Sequence, residues 1–319
     1  MRPPSRILTA VVTSLIIGTS VPAQADEHFD LKDDLHDNVI GISESGEELG
    51  LPLRTTNNDL NAGTAPSFEL PAEEPLTPTI NDPRFVGPYS VIGTDDRRKV
   101  TANPAIVQIQ RNGYNHCTGW MIADDTLVTA AHCLYDWSRD DWVPKLTFRP
   151  SDWNQWSYEF ASQTWISSEY ARSGSADSDW GVVKFPRPIS ASWFGMKPST
   201  NPSELTGERA TITGFPGEKG RGLIRDYAQL WSADGILQAG TEARVCYSID
   251  TTGGQSGSPV YLEDRTAVAI HSHGAGNGAC SGNSGVRITP RMIDTFNDLK
   301  ERSNNATPIP GSRIGSSRS

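Results

Sequence analysis

Several features that mark common protein classes are scarce in this chain. Only four cysteines and four methionines occur in 319 residues. The cysteines, Cys117, Cys133, Cys246 and Cys280, stand far apart, without the Cys-x-x-Cys pairs of a structural zinc site. No long apolar run follows residue 25, and a spanning helix needs roughly 20 such residues. Between residues 26 and 90 there is neither cysteine nor tryptophan. Basic surplus is missing as well. The net charge of −10 sits almost wholly in residues 26–90, where fourteen Asp and Glu face only Lys32, Arg54 and Arg84. The remainder is close to neutral and has no nucleic-acid signature.

The first 25 residues read as an export signal. Arg2 and Arg6 precede an uncharged apolar run from Ile7 to Val21, and Ala23-Gln24-Ala25 is a small-x-small cleavage site. The run is too short to favour a membrane span. The product is expected to be secreted, extracellular and free of the membrane once the signal is removed. An even set of cysteines in an oxidising space reads as disulfides. Spacing alone does not fix the pairing, although Cys117 and Cys133 bracket a short segment and leave Cys246 with Cys280.

Residues 26–90 are rich in Asp, Glu, Pro, Asn and Thr and have weak apolar periodicity. Such a composition buries little core and reads as disordered or conditionally folded. Its functional reading is an acidic pro-segment that restrains the domain after it; a spacer that stays attached is the plainer one. Residues 304–319 read as a flexible tail.

From residue 91 to 303 the pattern is short strands between turns. Ten are expected: Ala105–Gln110, Thr118–Ile122, Leu127–Ala130, Lys145–Arg149, Gly181–Phe185, Ala210–Thr213, Val245–Ile249, Pro259–Leu262, Ala267–His271 and Val286–Ile288. This density predicts an all-β barrel or sandwich. One helix closes the domain: Thr289 caps it, Pro290 takes its first position, and Met292, Ile293, Phe296 and Leu299 share a face.

Three local signatures carry chemistry. In Leu127-Val128-Thr129-Ala130-Ala131-His132-Cys133 a strand delivers a histidine beside a cysteine. A general base must be held within hydrogen-bond reach of its nucleophile, and a disulfide next door would restrain it. In Gly253-Gly254-Gln255-Ser256-Gly257-Ser258-Pro259 glycines flank a serine. They permit the backbone conformation that aims N–H groups at a developing oxyanion, with the amides of Gly254 and Ser256 as expected donors. In Asp177-Ser178-Asp179-Trp180-Gly181 a carboxylate precedes an apolar strand. Asp179 is expected to orient His132, and Asp177 is the rival. The chain order His, Asp, Ser is that of the chymotrypsin type. Polypeptide substrates, a single-chain working unit and no cofactor or metal are the corresponding expectations.

Longer stretches extend the pattern. Ser90-Val91-Ile92-Gly93-Thr94-Asp95-Asp96-Arg97, Cys117-Thr118-Gly119-Trp120-Met121-Ile122, Gly214-Phe215-Pro216-Gly217, Asp250 through Val260, and Val268-Ala269-Ile270-His271 resemble the V8 protease-like glutamyl endopeptidases, the Bacillus-type enzymes most of all. The resemblance covers nearly all of 91–300. It implies two six-stranded antiparallel β-barrels with a catalytic triad between them, a zymogen activated by removal of its pro-segment, and cleavage after glutamate or aspartate. It also implies that His271, with the Thr251 hydroxyl beside it, receives the substrate carboxylate, and that the α-amine freed at Val91 supplies a third donor; a start at Ser90 is the alternative.

A trypsin-like reading competes, because Asp250 stands six residues before Ser256, the offset of an acid that selects Lys or Arg. Against it, Gln255 stands where a trypsin has the carboxylate that pairs with its new N-terminus. A catalytically silent binding module on the same fold is the third reading. His273, two residues after His271, is expected on the same strand face as part of a polar rim, His116 at the surface, and Trp153 and Trp156 over a barrel edge.

Overall fold

The computed structural model describes residues 39–50, 91–153, 157–219, 229–276 and 280–302. The expected export signal, His28, His36, Ser90, Trp156 and the C-terminal tail lie outside them.

A hairpin comes first, β1 (Val39–Ser43) and β2 (Glu48–Gly50). After β3 (Arg98–Lys99) come β4 (Ile106–Arg111), β5 (Tyr114–Met121) and β6 (Thr126–Thr129). The small pair β7 (Tyr135–Asp136) and β8 (Asp141–Trp142) leads to β9 (Leu146–Pro150), β10 (Gln163–Ser167), helix α1 (Ser168–Ser173) and β11 (Gly181–Lys184). The strands β9-β4-β5-β6-β11-β10 form the first barrel, in which the bridge between Phe148 and Glu159 ties β9 to the segment leading into β10 and leaves the edge of β10 itself to pair with β1. Between β4 and β5 the turn is Asn112-Gly113, with φ of 54° and 80°. Positive φ at both positions matches the twist of a two-residue hairpin.

The second half holds β12 (Gly195–Met196), β13 (Arg209–Gly214), β14 (Trp231–Gln238), β15 (Arg244–Tyr247), β16 (Pro259–Tyr261), β17 (Thr266–His273) and β18 (Asn283–Arg287). Strands β13-β14-β15-β18-β17-β16 close back on β13, a second six-stranded barrel. All ten expected strands are present. The hairpin β1–β2, the longer strands β10 and β14, and the short strands β3, β7, β8 and β12 are additional. The hairpin differs most from the composition-based reading, since residues 39–50 are packed structure inside the acidic segment.

Each barrel has its own core. Val107, Ile109, Leu127, Phe148 and Val183 fill the first. Ile212, Val245, Val260 and Val268 fill the second. A third cluster, with Trp120, Trp165, Trp180, Phe194, Ile270 and Phe296, runs between them. Fully burying one such side chain is worth about 1.5–3 kcal/mol. The closing helix α2 (Pro290–Glu301) starts where expected, with the Met292 amide donating to the Thr289 hydroxyl at 3.2 Å. Met292, Ile293, Phe296 and Leu299 turn into the shared cluster. The buried Lys184 of the first barrel ties that helix down. Its ammonium donates to both Asp125 oxygens, at 3.0 and 2.9 Å, and to the Lys300 carbonyl at 2.9 Å. Cys117 pairs with Cys133 and Cys246 with Cys280.

Candidate active site

His132 and Asp179 meet between the barrels. Strand β6 ends at Thr129, and a single turn, Ala131–Cys133, carries His132. The imidazole Nδ1 lies 2.7 Å from Asp179 Oδ2, and the His132 backbone amide donates to Oδ1 at 2.9 Å. The carboxylate is therefore gripped twice by one residue, which fixes the ring plane. Asp179 is fully buried, while Asp177 is exposed on the preceding turn. Burial pushes both groups toward neutrality, and their mutual attraction outweighs it. His132 is held above its ordinary pKa and Asp179 below its own.

The loop from Asp250 to Ser258 is anchored to the first barrel. Thr118 does most of this. Its amide donates to the Ser256 carbonyl at 2.8 Å, its hydroxyl donates to the Gly254 carbonyl at 2.8 Å, and its own carbonyl receives the Thr129 hydroxyl at 2.8 Å. Gly254 and Gly257 have φ of 96° and 85°. A Cβ at Gly257 would lie 2.1 Å from Thr129 Oγ1, and one at Gly254 would lie 2.5 Å from the Phe215 carbonyl. Both positions need glycine for space as well as for backbone angle. The amides of Gln255, Gly257 and Ser258 donate to the carbonyls of Thr252, His271 and Gln255. The amides of Gly254 and Ser256 make no such bond among the described residues.

The segment after Val91 grips the same loop from the other side. The amides of Ile92 and Asp96 donate to Asp250 Oδ1 and Oδ2, at 2.7 and 3.0 Å. Arg97 is buried and donates to Thr252 Oγ1 at 2.7 Å and to Gln255 Oε1 at 3.3 Å. Its charge is balanced by Asp95 at 2.8 Å and Glu218 at 2.6 Å. Lys219 adds a bond to Asp95 at 2.9 Å. Gln255 Oε1 also accepts the Thr252 amide at 3.0 Å. So the residue that stands in place of a trypsin's carboxylate is held by an arginine and a backbone amide.

His271 and His273 do not share a face. The register between β17 and β18 shifts there, with His271 opposite Gly285 and His273 opposite Ser284. A bulge inserts one residue and re-aims the side chain after it. His271 Nδ1 meets the Tyr247 hydroxyl at 2.7 Å. His273 Nδ1 instead lies 2.9 Å from the Ser272 hydroxyl and 3.8 Å from Asp179 Oδ2. Its ring centre is 6.1 Å from that of His132. Burial lowers the pKa of His271 to about 3 and that of His273 to about 4. Thr251 is buried one residue after Asp250, and Val91 is half-buried next to Ile92. His116 is half-buried where the sequence suggested surface, with Nε2 3.1 Å from the Cys133 carbonyl oxygen. Trp153 packs against the first barrel's core.

Arg97, Tyr247 and Thr118 are the site residues that sequence reading did not single out. Their partners lie 155, 24 and 136 positions away, so no local pattern could reveal them. One group of metal-type donor atoms, on Cys117, His132 and Cys133, lies within 4.8 Å among the described residues. Its two sulfurs are bonded to each other, so it has no thiolate to offer a metal.

A model of the trypsin family matches residues 91–294. The glutamyl endopeptidase of Bacillus licheniformis is 36% identical over 67% of this chain and 71% of that protein. A Bacillus subtilis protein named extracellular metalloprotease is 32% identical over 67% of this chain and 69% of its own length. A solved structure described as Glu endopeptidase in complex with MPD superposes with a TM-score of 0.59 at 27% identity, over 66% of this chain and 100% of that one. With two six-stranded barrels and a family match over more than half its length, this chain belongs to the trypsin family, as a serine endopeptidase of chymotrypsin-like fold.

Proposed function

We propose that this chain is an exported zymogen whose mature form cleaves polypeptides after glutamate, with aspartate as the lesser choice. Ser256 is the nucleophile, His132 the general base and Asp179 the group that holds the imidazole. His132 takes the Ser256 hydroxyl proton as the oxygen attacks the scissile carbonyl. The amides of Gly254 and Ser256 receive the resulting oxyanion. Collapse gives an acyl-enzyme, with His132 passing its proton to the leaving amine. Water, deprotonated by the same histidine, then releases the acid.

The observation that carries the specificity is the state of Asp250. It is buried, and both its carboxylate oxygens receive backbone amides of the segment just after Val91. An acid so buried and so engaged serves as an anchor for this segment, which argues against a role in meeting a substrate lysine or arginine. His271 supports the same reading. Burial keeps it neutral, and burial also keeps the Tyr247 phenol protonated. In this reading the phenol donates to Nδ1, which assigns the ring proton to Nε2, a donor suited to a carboxylate. Thr251 and the α-amine freed at Val91 complete this pocket. The relatives named glutamyl endopeptidase point the same way.

Residues 1–25 are the signal, and 26–90 the pro-segment that restrains the enzyme until the cut before Val91. Because the Val91 amine exists only after that cut, activation completes the pocket as well as uncovering it. Mass spectrometry of the secreted protein and of peptides cut from a mixed library tests both points. Cleavage mainly after Lys or Arg would overturn the specificity.

A further inference from the structure

The hairpin β1–β2 belongs to the acidic segment, yet it is part of the first barrel's sheet. Strand β1 pairs antiparallel with β10 over five positions, from Val39 opposite Ser167 to Ser43 opposite Gln163. Strand β2 then covers β1. The far side of β10 pairs with β11, so β1 takes the edge that β10 would otherwise present to solvent. Side chains seal the join. Val39 and Leu49 are buried in the cluster that holds Trp165, Trp180 and Phe296. Gly41 lies flat on Trp165: a Cβ there would sit 2.4 Å from Trp165 Cε3. Arg302 stacks on the same indole, 4.8 Å from its centre. This is strand addition with a side-chain lock, the mode by which an extended segment binds an open sheet edge.

We propose that the edge of Gln163–Ser167 is a docking site whose occupant is Val39–Gly50, and that this hairpin stays bound after the chain is cut before Val91. The pro-segment then has two parts: a strand donor that completes the first barrel, and the stretch between Gly50 and Val91 that the cut frees. That stretch is 40 residues long, a contour of up to about 130 Å, so the cut places no pull on the hairpin. An unpaired edge strand is an aggregation hazard, which is a physical reason to keep it covered. Among the described residues no hydrogen bond or ion pair joins the hairpin to His132, Asp179 or Ser256. Its link is indirect, through β10 to β11, where the Ser167 amide donates to the Trp180 carbonyl next to Asp179. The proposal rests on the zymogen reading only for when the natural cut occurs.

The test therefore uses an engineered cut. The chain from residue 26 onward, with Ser256→Ala to prevent self-digestion, receives a site for a sequence-specific protease between residues 71 and 77. After folding and cleavage, native mass spectrometry should find the amino-terminal fragment retained one-to-one on the body. Gly41→Val, which drives methyls into Trp165, should weaken retention at least tenfold. Release of the wild-type fragment, or equal retention of the Gly41→Val fragment, would overturn the proposal. Should Gly41→Val not fold, hydrogen exchange of the uncut parent decides: amides of Val39–Ser43 and Gln163–Ser167 should be protected together, and rapid exchange along Val39–Ser43 would contradict it. Failure of the natural cut before Val91 leaves this result untouched, so the two readings fail separately.

Discussion

Asp250 receives the backbone amide of Ile92 on one carboxylate oxygen, at 2.7 Å, and that of Asp96 on the other, at 3.0 Å. Two segments 158 residues apart thus meet on one buried acid. Asp250→Asn should loosen the segment after Val91 and lower kcat/KM for a Glu substrate roughly 10- to 100-fold, the cost of about 1.4–2.7 kcal/mol of lost positioning. It should not change the preferred residue. Steady-state kinetics on matched Glu and Lys peptides checks this; selective loss of Lys cleavage would show that Asp250 is a specificity acid after all.

Arg97 holds Gln255 and Thr252 of the Asp250–Ser258 loop while Asp95 and Glu218 neutralise it. Arg97→Ala should leave Glu218 without its cation and Asp95 with Lys219 alone, and lower kcat with little change in KM, because the loop amides lose their fixed direction. Arg97→Lys should recover only part of the rate, since one ammonium cannot reproduce the guanidinium fork. A KM effect without a kcat effect would contradict this positioning role.

With His132 as the proposed base, the His132–Asp179 pair sets the pH profile. The base works only when neutral, and Asp179 favours the imidazolium. The acid limb of kcat/KM should therefore lie above the ordinary histidine pKa of 6.5. Asp179→Asn removes that attraction, so the limb should move to lower pH while kcat falls by about 10⁴. A pH–rate series on both forms measures it. The same pair contributes stability with opposite pH limits. Asp179's depressed pKa adds stability above the unfolded carboxyl range that is lost as pH falls, and His132's raised pKa adds stability below 6.5 that is lost as pH rises through the folded value.

A relative carries the name extracellular metalloprotease, so the class of chemistry should be tested directly. A fluorophosphonate should label Ser256 and abolish turnover, and Ser256→Ala should be neither labelled nor active. A chelator should leave peptide cleavage by the wild-type enzyme intact. Cleavage by Ser256→Ala that EDTA abolishes and a divalent metal restores would contradict a serine-based mechanism.

Phe296 is fully buried against Trp180, ring centres 5.4 Å apart, where the closing helix meets both barrels. Phe296→Ala should cost about 3–5 kcal/mol. Thermal melting should show a drop of roughly 2–4 °C per kcal/mol for a domain of this size. An unchanged melting temperature would mean that the helix is not integral to the domain.

Much of this arrangement was legible in the chain. Ten strands and the closing helix came from short β-branched runs, turn residues and the Thr289-Pro290 start. His132, Ser256 and Asp179 stand in motifs whose chemistry is local. The illegible part depends on partners far away in sequence. Trp231–Gln238 contains Ser, Asp and Gly and becomes a strand because six of its residues pair with Arg209–Gly214. Val39–Gly50 opens on a short β-branched run, Val39-Ile40-Gly41-Ile42, which the acidic composition around it masks, and its packing partners, Trp165 and the edge of Gln163–Ser167, lie more than 100 residues away. The bulge at Ser272, which separates His271 from His273, breaks the two-residue alternation that sequence reading must assume. Arg97 looks like one more surface charge until Asp95, Glu218, Thr252 and Gln255 surround it.

The most direct test of the specificity compares peptides that differ only in the residue before the cut, Glu, Gln or Lys, in the wild-type enzyme and in His271→Ala. For the wild type, kcat/KM for Glu should exceed that for Lys by at least 100-fold, about 2.7 kcal/mol. His271→Ala should lower the Glu value far more than the Gln value. A wild-type enzyme that prefers Lys, or a His271→Ala enzyme that loses Glu and Gln cleavage equally, would contradict recognition of the substrate carboxylate by His271.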